Sequence, residues 1–165
     1  MNAQEVILAT YASADRVVNA YLADLSDGDL LIRPVSGQNH IAWQLGHLIA
    51  TEHRLVDAIK PGSCPELPAG FADAHGRDET STHSDDAGRF ASKATYLELM
   101  NAQREATKSL ITSISEADLD APAPESMRAR FPSTGLVLLL GATHYLMHVG
   151  QFVSVRRSIG KPIAI

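Results

Sequence analysis

Apolar positions recur at helical spacing in four long stretches of this chain. Over residues 3–25, Ile7, Tyr11, Ala14, Val18, Tyr21, Leu22 and Leu25 fall on one face. Asn2, with Glu5 three residues on, predicts a capping box at the start, and Ser26-Asp27-Gly28 predicts the stop. Over 40–59 the stripe is Ile41, Leu45, Leu48, Leu55, Val56 and Ile59, with Asn39 as N-cap and Pro61-Gly62 as stop. Glu52 falls inside that stripe, an unusual place for a carboxylate. Over 93–114, Leu97, Met100, Thr107 and Ile111 line one side, with Gln103, Leu110 and Ile114 beside them and Arg104 pointing the same way. The fourth stretch, 134–159, closes with Gly160-Lys161-Pro162. No strand alternation and no internal repeat is visible. Four amphipathic helices of this length predict an all-α four-helix bundle, a single domain over residues 1–165.

One connection is too long for a simple bundle. Residues 61–91 hold Pro61-Gly62, Pro65, Pro68 and Gly70, then a polar Ser/Thr/Asp/His stretch. Loops beyond about 15 residues are uncommon in compact domains unless they carry function or are disordered. A connection of this length between the second and third helices can cross the bundle end to end, so that neighbouring helices run parallel. Lacking periodic apolar positions, it is expected to be the most mobile or irregular part of the chain.

Composition narrows the class. The 165 residues are 45% hydrophobic and 20% charged, which fits a globular protein with a sizeable core. Net charge is -5 with no strongly basic stretch, so nucleic acid is not an expected partner. Cys64 is the only cysteine, which rules out an intrachain disulfide, fits a reducing cytoplasm and reads as incidental. The first residues lack the basic and apolar regions of a signal peptide. Residues 136–153 carry no Asp, Glu, Lys or Arg, long enough to raise a membrane span. Two His, a Gln, a Tyr and two Gly within that run, and no second segment to pair with it, argue for a buried helix and no membrane.

That uncharged helix carries the chemistry. His144 and His148 stand at i, i+4, which points both imidazoles out of one face one turn apart. Two neutral imidazoles so placed can share a divalent metal ion, and a catalytic site of the zinc type takes a third protein ligand. The candidates are His40, His47, His53, His75 and His83. His75 and His83 lie in the polar connection and are expected to be solvated; His53 has charged neighbours. His40 and His47 are seven residues apart, about 10.5 Å along a helix, so one of them at most joins the pair. His47 lies off the main stripe of its helix, near Trp43, Gly46 and Ala50. Either this helix is apolar on two sides, one of them in a subunit interface, or His47 faces outward. Spacing leaves both open.

The segments Gly37-Gln38-Asn39-His40-Ile41-Ala42-Trp43-Gln44-Leu45-Gly46-His47-Leu48 and His144-Tyr145-Leu146-Met147-His148-Val149-Gly150-Gln151-Phe152, continuing to Pro162, resemble the DinB/YfiT-like family of metal-binding four-helix bundles. The resemblance extends over the whole chain and includes the family's arginine on the third helix, at Arg104. It implies a three-histidine metal site at His47, His144 and His148, completed by water or substrate, holding zinc or nickel, with iron as an alternative. It also implies a homodimer. Enzymes of the family include thiol S-transferases using bacillithiol, a mycothiol-dependent isomerase and hydrolase-like members. In a related domain of sulfoxide synthases the second histidine is followed two positions on by an acidic residue; here that position is Gly150, which departs from the iron-oxygenase pattern.

The residues suit this chemistry. Three imidazoles leave a bound ion positively charged and Lewis acidic, able to present a thiol or water as a nucleophile near neutral pH. Gln151, three residues past His148, is a candidate to hydrogen-bond and orient a metal-bound histidine, or an interhelical hydrogen-bonding group. Arg104 is another, either holding a substrate carboxylate or pairing with a buried acid such as Glu52. Trp43 and Tyr145 read as core or interface residues. The expected function is a cytoplasmic, metal-dependent transferase that activates a low-molecular-weight thiol against an electrophile in stress response or detoxification. The alternatives are a metal-dependent hydrolase and a non-catalytic metal-binding or sensor bundle.

Overall fold

The structure, a computed structural model, describes residues 1–78 and 84–165. Along the chain stand α1 (Ala3–Leu22), a 3-10 turn at Asp29–Leu31, α2 (Ile41–Ile59), the short α3 (Phe71–Ala74) and a 3-10 turn at Ala87–Arg89. Then come α4 (Lys93–Ser113), the short α5 (Glu116–Asp120), a 3-10 turn at Glu125–Met127 and α6 (Thr134–Ser158). Among the described residues there is no strand, only an isolated bridge between Pro122 and Ser133.

The four long helices lie where the apolar stripes place them, with ends displaced by one to three residues. The capping box at Asn2 forms: its side chain accepts the Glu5 amide at 2.8 Å, and the Glu5 carboxylate accepts the Asn2 amide at 3.0 Å. α1 stops at Leu22, short of the expected 25, but Leu25 remains buried beside the turn that follows. α2 is capped by His40 instead of Asn39. The His40 Nδ1 accepts the Trp43 amide at 3.0 Å, so this histidine replaces the usual hydroxyl or carboxylate cap. α6 ends at Ser158, and Gly160 behind it takes φ 71°, the left-handed turn that a side chain disfavours.

Named contacts give the helix directions. Tyr11 of α1 donates to the Leu138 carbonyl near the start of α6, and Tyr21 and Asp24 meet Arg156 at its end, so α1 and α6 run parallel. Gln4 reaches the Ile111 carbonyl while Lys93 reaches those of Leu22 and Leu25, so α4 runs antiparallel to α1. α2 begins near the end of α6, where Gln38 bonds Ser154, and finishes near its start, where Leu55 packs on Val137. Glu52 bonds Arg104 and Thr107, and Val56 packs with Leu110 and Ile111, so α2 and α4 run parallel. Two parallel neighbours require a crossover, and residues 60–92 supply it. Within its described residues Phe71 and His75 are buried and anchor it.

α1 and α6 approach closely at Gly141, where an added Cβ would lie 2.0 Å from the Tyr11 hydroxyl. α6 is long and apolar enough to cross a membrane by length and composition, and half of its most apolar window is buried in the bundle.

At the centre, Arg104 of α4 touches all the other long helices. It donates to Glu52 of α2 at 2.7 Å and to Asp15 of α1 at 2.8 Å. Its guanidinium lies over the rings of Tyr11 and Tyr145, 4.4 and 4.5 Å from their centroids. Arg104 thus pairs with the buried acid that the sequence set beside it as a partner. Burial pushes the Glu52 carboxyl up, while Arg104 and the Thr107 hydroxyl pull it down. Removing one partner strands the other in a dry core. Arg104→Ala is therefore expected to lower stability by about 3–5 kcal/mol in denaturant unfolding, and Arg104→Ala with Glu52→Gln together to lose less than the sum. Additive losses would mean that the two groups do not depend on one another.

Candidate metal centre

The antiparallel packing of α2 on α6 sets the first half of one against the second half of the other. His47 of α2 therefore meets His144 and His148 of α6, and one donor atom from each lies within 4.8 Å of the others. The His144 and His148 Nε2 atoms are 3.2 Å apart. Two nitrogens each about 2.0–2.1 Å from one tetrahedral ion would stand about 3.3 Å apart, so this pair already has the spacing of two ligands. All three rings are buried. Among the described residues no carboxylate, cysteine or fourth histidine joins the group.

Hydrogen bonds fix which nitrogen of two rings carries a proton. The Gln44 amide nitrogen donates to the Asn39 carbonyl at 2.8 Å. Its oxygen therefore faces the His148 Nδ1 at 2.9 Å and must accept. His148 Nδ1 is then the donor, and the lone pair sits on Nε2, toward His144. In the same way the His47 Nδ1 lies 3.3 Å from the His75 carbonyl, which can only accept, so the His47 lone pair also sits on Nε2. Trp43 stacks on His47, with ring centroids 4.8 Å apart and planes 7° from parallel, and its indole donates to the Gly76 carbonyl at 3.2 Å.

The electrostatics keep these rings in their ligating form. Burial, reinforced by the neighbouring imidazoles, lowers His144 to about 4 and His148 to about 3, and burial also lowers His47. At neutral pH all three are uncharged. The donor set suits a transition metal: three imidazoles, buried, with two of their Nδ1–H groups engaged by oxygen acceptors.

The other sequence candidates go elsewhere. His40 caps α2 and packs edge-on against Phe90. His53 stands in the wall of a cleft beside the site. His83 lies outside the described residues. Gln151 is exposed, and its backbone carbonyl accepts from the Gln38 amide and the Ser154 hydroxyl. The side chain that holds His148 is instead Gln44, whose signal was a lone amide in an apolar run three residues before His47.

His75 departs most from expectation: it is buried, not solvated. Its Nδ1 donates to the Phe71 carbonyl at 2.7 Å, and its Nε2 accepts from the Tyr96 hydroxyl at 2.8 Å. Tyr96 in turn accepts the Ala91 amide, and burial pushes its phenol up to about 12. The His75 ring lies against Gly46, where a Cβ would come within 2.1 Å of it. The choice left open for α2 is thereby settled. The helix is buried on every side from Ile41 to Ile49, and the crossover covers its second apolar side.

The histidines open outward through two adjoining clefts. One, of about 690 Å³, is lined by His47 and the crossover; the other, of about 450 Å³, by His144 and the segment before α6. Because Gly46 makes room for His75, Gly46→Ala is expected to displace the segment that orients His47. The predicted cost is about 1–3 kcal/mol in thermal or denaturant unfolding. A change in Trp43 fluorescence should accompany it. Unchanged stability and fluorescence would show that the His75 ring moves aside freely.

Comparison with known proteins agrees with this architecture. A crystal structure of a conserved protein from Enterococcus faecalis superposes with a TM-score of 0.73 at 19% sequence identity, covering 98% of this chain and 99% of that one. A search of curated proteins finds no match. Residues 10–152, which take in all three histidines, match the DinB superfamily. The bundle, its crossover and the clustered histidines are those of a chain that belongs to the DinB superfamily.

Proposed function

We propose that this chain is a metal-dependent enzyme that uses His47, His144 and His148 to hold one divalent transition ion, zinc or nickel, with iron as an alternative. In this reading it transfers a low-molecular-weight thiol to an electrophile. One observation carries the reading. Three neutral imidazoles converge beneath an open cleft with no fourth protein donor among the described residues. A structural site would be closed by a fourth side chain, whereas a catalytic one keeps a position for substrate. When bound, the ion supplies Lewis acidity that favours the deprotonated form of a thiol or water.

The chain's own groups do the rest. The Gln44 amide oxygen and the His75 carbonyl hold two imidazoles in the tautomer that presents Nε2. Burial keeps the rings unprotonated. The transfer breaks the thiol S–H bond, forms a bond from sulfur to the electrophilic carbon, and releases a leaving anion with the proton passing to solvent.

Purified protein is expected to hold one transition-metal ion per chain. His144→Ala and His148→Ala should abolish binding and His47→Ala should weaken it strongly, while Gln44→Leu should cost about 10–100-fold in affinity. Full occupancy in His47→Ala would remove that residue from the set. Protons compete with the metal for imidazole. With His144 at about 4 and His148 at about 3, their protonation weakens affinity only as pH falls well below the ordinary imidazole value of 6.5. A panel of thiols with a chromogenic aryl halide then tests the reaction. A rate that survives complete metal removal sinks the mechanism, and ester cleavage without thiol transfer favours a hydrolase.

A further inference from the structure

The two clefts above the histidines share a wall. Thr51, Arg54, Arg77 and Arg130 line both, His47 facing one cleft and His144 the other. They are halves of a single opening, with three arginines around it. These come from three separate places: α2, the crossover just past His75-Gly76, and the segment between α5 and α6. The chain as a whole is acidic, with 19 acidic residues against 14 basic and a net charge of -5. Yet Asp73, on the His47 side, is the single acid among the described residues lining either cleft.

Three like charges gathered at one opening repel one another unless an anion joins them. Among the described residues none of the three arginines bonds a carboxylate, in contrast to Arg104, which pairs with Asp15 and Glu52, and Arg156, which pairs with Asp24. Their field reaches the site: Arg77 disfavours positive charge on all three histidines, and Arg54 on His47 and His144. A guanidinium offers a planar fork of donors that fits carboxylate and phosphate oxygens. The clefts have the size of a metabolite site.

We propose that Arg54, Arg77 and Arg130 form an anion clamp at the mouth of the histidine site. It selects a small co-substrate bearing carboxylate or phosphate groups and directs the reactive end of that molecule toward His47, His144 and His148. The clamp stands on the arginines alone; only its orientation of a reactive end rests on reading the histidines as a metal centre.

Trp43, the chain's single tryptophan, stacks on His47 and reports on the opening. Metal-free protein is titrated with succinate and with inorganic phosphate, following Trp43 fluorescence and, in parallel, the heat of binding. Saturable binding of at least one probe below about 10 mM is expected, and the probe that binds assigns the anion as carboxylate or phosphate. Arg54→Gln with Arg130→Gln should weaken it at least about tenfold, and adding Arg77→Gln should remove it. The arginines are exposed, so helical circular dichroism should not change. A response no greater than that to chloride at matched ionic strength, or equal affinity in the triple variant, overturns the clamp. The two readings fail separately. His144→Ala should keep anion binding while losing metal, and the triple arginine variant should keep metal. Wild-type protein that binds the anion but no metal would retain the clamp and discard the metal centre.

Discussion

The bundle depends on a buried positive charge. Arg104 leaves water only because Glu52, Asp15 and two tyrosine faces surround it, and those partners come from every other long helix. Such a pair contributes little net stability over an apolar core, but it tolerates few alternatives. Sliding α2 against α4 by one turn would leave Glu52 and Arg104 buried and apart. The same register serves the histidines. Glu52 lies five residues beyond His47 on α2, and Tyr145 is next to His144 on α6. Fixing these helices around Arg104 also fixes the ring of His47 opposite those of His144 and His148.

The site repeats the logic of buried polar groups with the opposite protonation. Arg104 stays charged because acids meet it; the three imidazoles stay neutral because burial and mutual repulsion disfavour a proton. Backbone and amide oxygens then decide where the remaining proton of His47 and of His148 sits. Charge is kept outside, on the arginines of the rim. A neutral donor set thus lies beneath a positively charged opening.

The crossover is the segment that joins fold to site. It carries the chain from one end of the bundle to the other, which lets α2 and α4 run parallel. On the way it lays His75 over Gly46, gives its carbonyl to His47, accepts the indole of Trp43, and sets Arg77 at the opening. A hairpin between α2 and α4 would do none of this and would leave Trp43 and His47 on an exposed face.

Helical periodicity alone located the four long helices, because an amphipathic stripe is a local property that burial enforces along each segment. It also showed that His144 and His148 share a face, since a single helix fixes that geometry, and it flagged Glu52 and Arg104 as misplaced charges. The third histidine was beyond it. His40 and His47 lie on one helix, and which of them reaches α6 depends on the register between helices, a relation that no local pattern encodes. Resemblance to the family favoured His47, and packing placed it there. Gln44 in place of Gln151 followed from the same register. The polar neighbours of His75 in sequence point it toward solvent; its neighbours in space are Gly46, Phe71 and Tyr96. The convergence of Arg54, Arg77 and Arg130 was invisible along the chain, because residues 23 and 53 positions apart meet only when the crossover and the segment before α6 fold onto α2. The sequence by itself determined the helices and the chemistry each could carry. The tertiary structure decided which of those groups face one another, because contacts between distant segments arise only once the apolar stripes have found their partners.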